Sequence, residues 1–381
     1  MAMGVKCPKC GLMQLPGPTC KSCRTPLGAS PPAFSAERKA PVERKPPVER
    51  KPPAERKTPG NGPSPQAGQA HRMSFHGTGG SLFGIHIVNL FLTVVTLGLY
   101  YFWGKVKVRS YLLSQSEMGG DRFAYHGTGK ELLCGSLKAV LLVGLPLMAL
   151  NVAMGFLVTS PIIEAIVGFL SSILILAFLP VAIVGARRYR LSRTSWRGVR
   201  FSFRGEVREF VKLFLWGSLL STVTLGLYYP IFDARRHGFL VSHSYLGNQP
   251  FSFDGQGKDL FGRYLLTLLL TLPTLGLCWF WFAARKQRYY WDHTAFGPAR
   301  FHCTVTGGRL LGFSLGNMLL LIVTLGLGWP WVVARGIRFT FTYLTLEGSL
   351  DLASIQQEAQ TASATGEGLA GILDAGFDLG I

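Results

Sequence analysis

Thr224-Leu225-Gly226-Leu227-Tyr228-Tyr229-Pro230 recurs, with small changes, as Thr96-Leu97-Gly98-Leu99-Tyr100-Tyr101, Thr274-Leu275-Gly276-Leu277-Cys278-Trp279 and Thr324-Leu325-Gly326-Leu327-Gly328-Trp329. The copies at 224, 274 and 324 start 50 residues apart. Twenty-one residues ahead of each stands a short period-two segment running into glycine: Ser74-Phe75-His76-Gly77, Ser202-Phe203-Arg204-Gly205, Ser252-Phe253-Asp254-Gly255 and a degraded copy around Cys303. Such alternation suits a brief strand or extended segment. The fixed period with an apolar run in every unit marks a repeated membrane element rather than a soluble enzyme core. A fifth unit is interrupted. Phe123-Ala124-Tyr125-His126-Gly127 keeps step, but Pro146 stands where the threonine is due, and about 30 extra, mostly apolar residues precede Ala186-Arg187-Arg188.

With 48% apolar and 15% charged residues, the composition is that of a membrane protein once the polar stretch 1–72 is set aside. Six runs, Leu82 to Trp103, Leu137 to Val158, Ile162 to Val184, Phe210 to Phe232, Leu260 to Phe282 and Leu310 to Val333, are each long enough to cross a hydrocarbon core of about 30 Å. The expected class is therefore mainly α: a helical multi-spanning membrane protein of about five 50-residue repeats over residues 73–350, with a small amino-terminal zinc ribbon over 1–28. Met1 to Cys7 holds no apolar stretch, so insertion is expected to rely on the first span.

The ribbon rests on Cys7-Pro8-Lys9-Cys10 and Cys20-Lys21-Ser22-Cys23, two Cys-x-x-Cys knuckles nine residues apart. Two thiolates in one tight turn can hold one ion, and two such turns complete a closed tetrathiolate site that suits zinc. A disulfide reading requires an oxidising compartment. So short a segment has no core of its own, and the metal supplies its folding free energy. Residues 29–72 repeat Glu-Arg-Lys between prolines and read as an extended, disordered tether. Residues 1–72 carry 13 Lys and Arg against 4 Glu, a surplus that fits anionic lipid headgroups or plain solubility better than nucleic acid, since the arm has no aromatic except Phe34 and no recognised binding fold. The ribbon is expected to bind a protein partner. Residues 351–381 form an acidic tail without Lys or Arg.

Basic residues follow each repeat motif at a constant offset, among them Arg187, Arg188, Arg235, Arg236, Arg285, Arg288 and Arg335. Beside interfacial aromatics such as Trp103, Trp281 and Trp331, arginine can snorkel to lipid phosphate, so these residues are expected to contact lipid or, converging, one anion. Asn89 and Asn317 occupy equivalent positions and are expected to bond between helices. Topology is in tension with charge. With six crossings, the loops 104–135, 185–208 and 283–309 hold five, eight and five basic residues, against three in 233–259 and two in 334–381. That bias places the amino terminus outside, whereas a reduced zinc module belongs in the cytoplasm. The tension disappears if some units turn back at Thr-Leu-Gly-Leu.

The recurring Phe-x-Phe-x-Gly, Thr-Leu-Gly-Leu-Tyr-Tyr-Pro and Ala-Arg-Arg elements resemble the YjgN-like family over residues 73–350. The resemblance implies a bacterial inner membrane and no established activity. No Ser/His/Asp set or paired carboxylates are present, and the two His-Gly-Thr-Gly segments lack the spacing and lysine of a nucleotide loop. The expectation is a non-enzymatic scaffold or sensor with a cytoplasmic amino terminus, and the alternative is a transporter or channel between the repeats.

Overall fold

The computed structural model describes residues 5–6, 13–14, 70–157, 160–349 and 355–357. The chain divides into two compact units, Met1–Gly62 and Pro63–Ile381. In the first, β1 (Val5–Lys6) pairs antiparallel with β2 (Met13–Gln14), Lys6 opposite Met13. Cys7, Cys10, Cys20, Cys23 and residues 29–69 lie outside the described residues.

The second unit repeats one motif of strand, helix, returning helix and strand. Repeat one is β3 (Ala70–Phe75), α1 (Gly79–Val95), α2 (Tyr101–Ser114) and β4 (Ser116–Met118). Repeat two is β5 (Asp121–Tyr125), then α3 (Gly129–Ala139) continuing through a π turn into α4 (Leu145–Leu157), then α5 (Pro161–Ser192) and β6 (Thr194–Trp196). Repeat three is β7 (Val199–Phe203), α6 (Val207–Val223), α7 (Tyr229–Ser242) and β8 (Ser244–Leu246). Repeat four is β9 (Gln249–Phe253), α8 (Gly257–Leu270), α9 (Cys278–Asp292) and β10 (Thr294–Phe296). Repeat five is β11 (Ala299–Cys303), α10 (Gly307–Val323), α11 (Trp329–Tyr343) and β12 (Leu344–Glu347).

Strands β3 to β12 pair antiparallel in chain order, and β12 returns to β3 with Leu346 opposite His71, closing a ten-stranded barrel. Neighbouring strands are joined alternately by a helical hairpin and by a two-residue turn: Gly119-Gly120, Arg197-Gly198, Gly247-Asn248 or Gly297-Pro298. The first residue of each turn has φ between 52° and 60°, the left-handed start that tight strand reversals favour. Alternation in an antiparallel barrel puts every turn at one end and every helical hairpin at the other.

This architecture overturns the mainly helical, multi-spanning class expected from the sequence. Among the described residues two helical stretches, Gly129–Val152 and Ala165–Ser192, are long and apolar enough to cross a membrane. Four of the six expected spans are not single helices. Leu82 to Trp103 holds α1, a reversal and the start of α2, and the runs from 210, 260 and 310 divide in the same way. Hydropathy summed along the chain is blind to a reversal in which every side chain stays apolar.

The barrel interior is filled. Five equivalent cross-strand pairs, Met73 with Met118, Phe123 with Trp196, Phe201 with Leu246, Phe251 with Phe296 and Phe301 with Leu346, share one apolar cluster. Phe123, Phe201 and Phe251 stack in sequence at 6.3 and 6.4 Å between ring centres. The Trp196 indole N–H donates to the Met118 and Asp121 carbonyls, so the one polar atom of the largest side chain is satisfied. Each repeat also packs on the next. Phe75, Leu82 and Leu112 of repeat one meet Val333, Ala334 and Ile337 of repeat five, which closes the ring of hairpins as β12 to β3 closes the barrel. The aromatic-x-Gly pattern has a steric origin: the rings of Phe75, Tyr125, Phe203 and Phe253 fold over the glycine two residues on, where a Cβ would overlap them. Thr78 and Thr128, within the two His-Gly-Thr-Gly segments, are helix N-caps accepting from Ser81 N and Glu131 N. The segment 355–357 lies at the turn end, where Gln356 exchanges two hydrogen bonds with Asn248 and the Gln357 side chain accepts from Arg200 N.

Candidate functional site

The repeat motif forms the tips of four hairpins. In each, the leucine after the threonine has φ 50° and the following glycine has φ between 82° and 91°. The leucine N–H bonds the carbonyl three residues back and the glycine N–H the carbonyl five back, Leu97 to Val94 at 3.1 Å and Gly98 to Thr93 at 2.7 Å in repeat one. This is the Schellman closure, with leucine where glycine is usual. The threonine hydroxyl completes it. Thr324 Oγ1 donates to Leu320 O at 2.6 Å and accepts from Gly328 N at 2.8 Å, and the other three threonines do the same. Every N–H from the threonine through the fifth residue after it therefore has a partner inside the hairpin.

The side chains do the opposite. Leu97, Leu225, Leu275 and Leu325 are 95, 91, 91 and 92% exposed. Holding leucine in the left-handed region costs about 1–2 kcal/mol, spent here on aiming a large apolar group away from the protein. Exposed apolar residues occupy equivalent positions in all four hairpins, Ile87, Leu215, Leu265 and Leu315, nine residues before each threonine, and in repeat four Phe261 adds one a turn lower. At 1.5 Å per residue the bare apolar band of each hairpin is about 14 Å tall, close to one leaflet of a core about 30 Å thick. In repeat two, exposed apolar residues run from Leu137 up α4 and from Ile162 down α5. From 137 to 157 the rise is about 30 Å, long enough for a full crossing.

Basic residues stand below the tips at one height. Lys107, Arg235, Arg285 and Arg335 follow Thr96, Thr224, Thr274 and Thr324 at the same offset. Lys107 lies over the Tyr100 ring, and Arg235 donates to the Tyr228 hydroxyl at 2.9 Å. Arg335 is exposed. The other arginines singled out in the sequence are held by protein. Arg187 is half-buried at the end of α5 and donates to Ser244 Oγ, Arg188 donates to Gly205 O at 2.9 Å, and Arg236 donates to Asp233 at 2.7 Å. Arg288 Nε is buried without a hydrogen-bond partner. The seven arginines thus do not gather on one anion.

Sequence reading missed a polar knot inside the ring of helices. Asp233, 3% exposed, accepts from Arg236, from Lys286 at 3.0 Å and from the Tyr290 hydroxyl at 2.8 Å, tying α7 to α9. Burial alone would raise its pKa, but the Lys286 ammonium, the Tyr290 hydroxyl and Arg236 hold the carboxyl below its usual range. His237 stacks on Tyr290 at 4.4 Å, and burial followed by the Arg187 charge pushes it down to about 4. The usable signal was Asp233 itself, an acid where repeats four and five carry Ala283 and Val333. Asn89 donates to Gly104 O at 3.2 Å within its own hairpin. Trp103, Trp281 and Trp331, expected at the lipid interface, also lie against the first glycine of the next repeat's helix: Gly129, Gly307 and Gly79. Among the described residues no His, Cys, Asp and Glu side chains gather into a metal-binding group.

Comparison with known proteins agrees with a membrane setting. Inner membrane protein YjgN of Escherichia coli (strain K12) is 31% identical over 157 residues, covering 41% of this chain and 37% of that protein. Its namesakes in Escherichia coli O157:H7 and Salmonella typhimurium are 32 and 31% identical over 170 and 142 residues, covering 44 and 36% of this chain and 40 and 33% of their own lengths. The matched region is thus under half the length of these relatives. No solved structure matches the chain. Residues 70–281 and 264–372, which take in all ten barrel strands and every helical hairpin, match the family described as bacterial protein of unknown function, DUF898, and the chain belongs to that family.

Proposed function

We propose that this is a non-enzymatic scaffold of the bacterial inner membrane, seated on it from one face. Four hairpins dip into the near leaflet, the hairpin of repeat two crosses twice, and the barrel stands outside the lipid as a platform. One observation carries this: four tips expose leucine almost completely while every backbone N–H from the threonine through the fifth residue after it is satisfied internally. Lipid demands that combination, because it offers apolar side chains a home and backbone donors no partner. Fully burying four leucines is worth on the order of 1.5–3 kcal/mol each. The basic positions at one height below the tips suit headgroup phosphates. Because the hairpins return, every basic loop lies on the barrel side, and the positive-inside rule then puts the barrel and the chain entering it at Ala70 in the cytoplasm. The conflict between charge bias and a reduced zinc module is removed.

On this reading Cys7, Cys10, Cys20 and Cys23 hold a structural zinc ion whose module recruits a partner to the platform. The donor set fits a closed tetrathiolate site, and in sequence Cys7 and Cys10 fall between β1 and β2, which pair antiparallel. Transport between the repeats has less in its favour, since aromatic side chains fill the barrel and Asn89 bonds within its hairpin.

The test is side-specific labelling of single cysteines in a chain whose other cysteines are replaced. Arg197→Cys in a barrel turn should react with an impermeant maleimide in inverted vesicles only, Ser160→Cys in intact cells only, and Leu225→Cys in neither. Labelling of Leu225→Cys from either face removes the reading.

A further inference from the structure

Repeat four combines three features that the other Thr-Leu-Gly-Leu tips do not combine, and together they open a cleft. Pro273 precedes the tip threonine, and because proline has no N–H and disfavours helix in the residue before it, α8 stops at Leu270, 14 residues long where α1, α6 and α10 have 17. Cys278 stands where repeats one and three carry Tyr100 and Tyr228, so the ring that meets Lys107 or Arg235 in those hairpins is missing. Arg263 stands as far before Thr274 as Arg285 stands after it, at a position where the other tips have Ile85, Leu213 and Phe313. The result is a cleft of about 680 Å³ between α8 and α9, with Leu266, Leu270, Leu277 and Trp281 along its wall and both Arg263 and Arg285 among its lining residues.

Arg263 and Arg285 thus sit at mirror positions about the tip, at the barrel end of this apolar wall. Neither side chain makes a hydrogen bond or ion pair among the described residues. The nearest acid on α8 in sequence, Asp259, is taken by the Tyr289 hydroxyl. Two guanidinium groups without acids at the mouth of an apolar cleft, on a hairpin whose tip lies in a leaflet, match one chemistry: a phosphate with hydrocarbon attached to it. We propose that repeat four is a binding site for one anionic phospholipid, its phosphate between Arg263 and Arg285 and an acyl chain along Leu266, Leu270 and Trp281. The inference rests on the leaflet-embedded reading of the hairpins.

The experiment uses full-length protein reconstituted in phosphatidylcholine vesicles containing trace phosphatidylglycerol, with lipid retained per protein counted by native mass spectrometry after detergent exchange. The wild type should keep one phosphatidylglycerol. The double variant Arg263→Gln, Arg285→Gln should retain it at least tenfold more weakly, and Arg197→Gln, in a barrel turn at the end away from the tips and paired with Asp121, should not change. Cys278→Tyr keeps both charges but restores the ring of repeats one and three, and it should also lose the lipid, which separates a built cleft from diffuse charge attraction. Equal retention by wild type and both cleft variants overturns the proposal. So does displacement of the lipid by inorganic phosphate with phosphate then held at the same stoichiometry, the mark of a free-anion site. In the same vesicles, quenching of a fluorophore at Leu225→Cys by brominated lipid reports tip insertion. Quenching without selective retention rejects the lipid site alone, whereas no quenching rejects the embedded hairpins as well.

Discussion

Removing the Asp233 carboxylate should be among the most damaging single changes in the ring of helices. Its two oxygens accept three hydrogen bonds, from Arg236 at 2.7 Å, Tyr290 at 2.8 Å and Lys286 at 3.0 Å, at a site 3% exposed. Asp233→Ala leaves two cations and a phenol facing a void. Breaking a buried ion pair from one side costs about 3–5 kcal/mol. The Arg236 and Lys286 side chains are 37 and 31% exposed and can regain some water, which moves the expectation to the lower end, about 3 kcal/mol. At roughly 2–4 °C per kcal/mol for a chain of this order of size, the melting temperature should fall by about 6–12 °C. Tryptophan fluorescence during heating of the purified protein in detergent reads this directly. Asp233→Ala with Lys286→Met should be less damaged than the sum of the singles, by about 1–3 kcal/mol, because the second change removes the stranded charge. A fall of less than about 2 °C for Asp233→Ala, well under the range expected from the lost ion pairs, or strict additivity in the pair, would show that the knot does not hold α7 to α9.

Acidification should weaken the fold before most carboxylates titrate. The unfolded chain protonates His237 near its ordinary pKa of about 6.5 and the folded chain only near about 4. Between those values the unfolded state binds more protons, so stability falls as pH falls, by on the order of 2 kcal/mol allowing for partial exposure. His237→Phe, which keeps the ring on Tyr290, should flatten that part of the melting-temperature profile. Gly257→Ala should cost about 2 kcal/mol or more, because its Cβ would strike the Ile231 and Pro230 backbone, whereas Gly262→Ala, with open space around it, should be neutral or gain about 0.5 kcal/mol in thermal melts. Thr324→Ala strands Gly328 N and should lower stability by about 1–2 kcal/mol. Leu225→Gly should leave melting in detergent unchanged or raised by about 1 kcal/mol through relief of the left-handed strain, yet reduce quenching of a tip fluorophore by brominated lipid.

Much of the local design was legible in the residues. The period, the strand-like segments ending in glycine, the tip motif and the interruption in repeat two all report interactions within a few residues: rings folded over a glycine, a threonine closing its own helix, a long apolar pair of helices. The direction of the chain at each tip was legible only indirectly, through the loop charges that a turn at Thr-Leu-Gly-Leu reconciles, because a leucine at φ 50° has no signature in hydropathy and Leu82 to Trp103 reads as one span. Five of the ten barrel strands, β4, β6, β8, β10 and β12, are three or four residues long, too short to show a period, although Gly119-Gly120 and Gly247-Asn248 were hairpin signals.

By itself, then, the sequence determined the repeating unit, the two helices of repeat two and the placement of a cation at one fixed offset below each tip. Tertiary structure decided that the units form a ring. Closure joins His71 to Leu346 and Gly79 to Trp331, residues from opposite ends of the repeat domain, and no local preference encodes that meeting. It follows from five similar wedges, each burying its apolar edge against the next until the last can satisfy the first. Packing of neighbouring repeats brings Asp233 of repeat three to Lys286 and Tyr290 of repeat four, and closure fills the barrel with side chains that in the linear chain resemble only short aromatic runs.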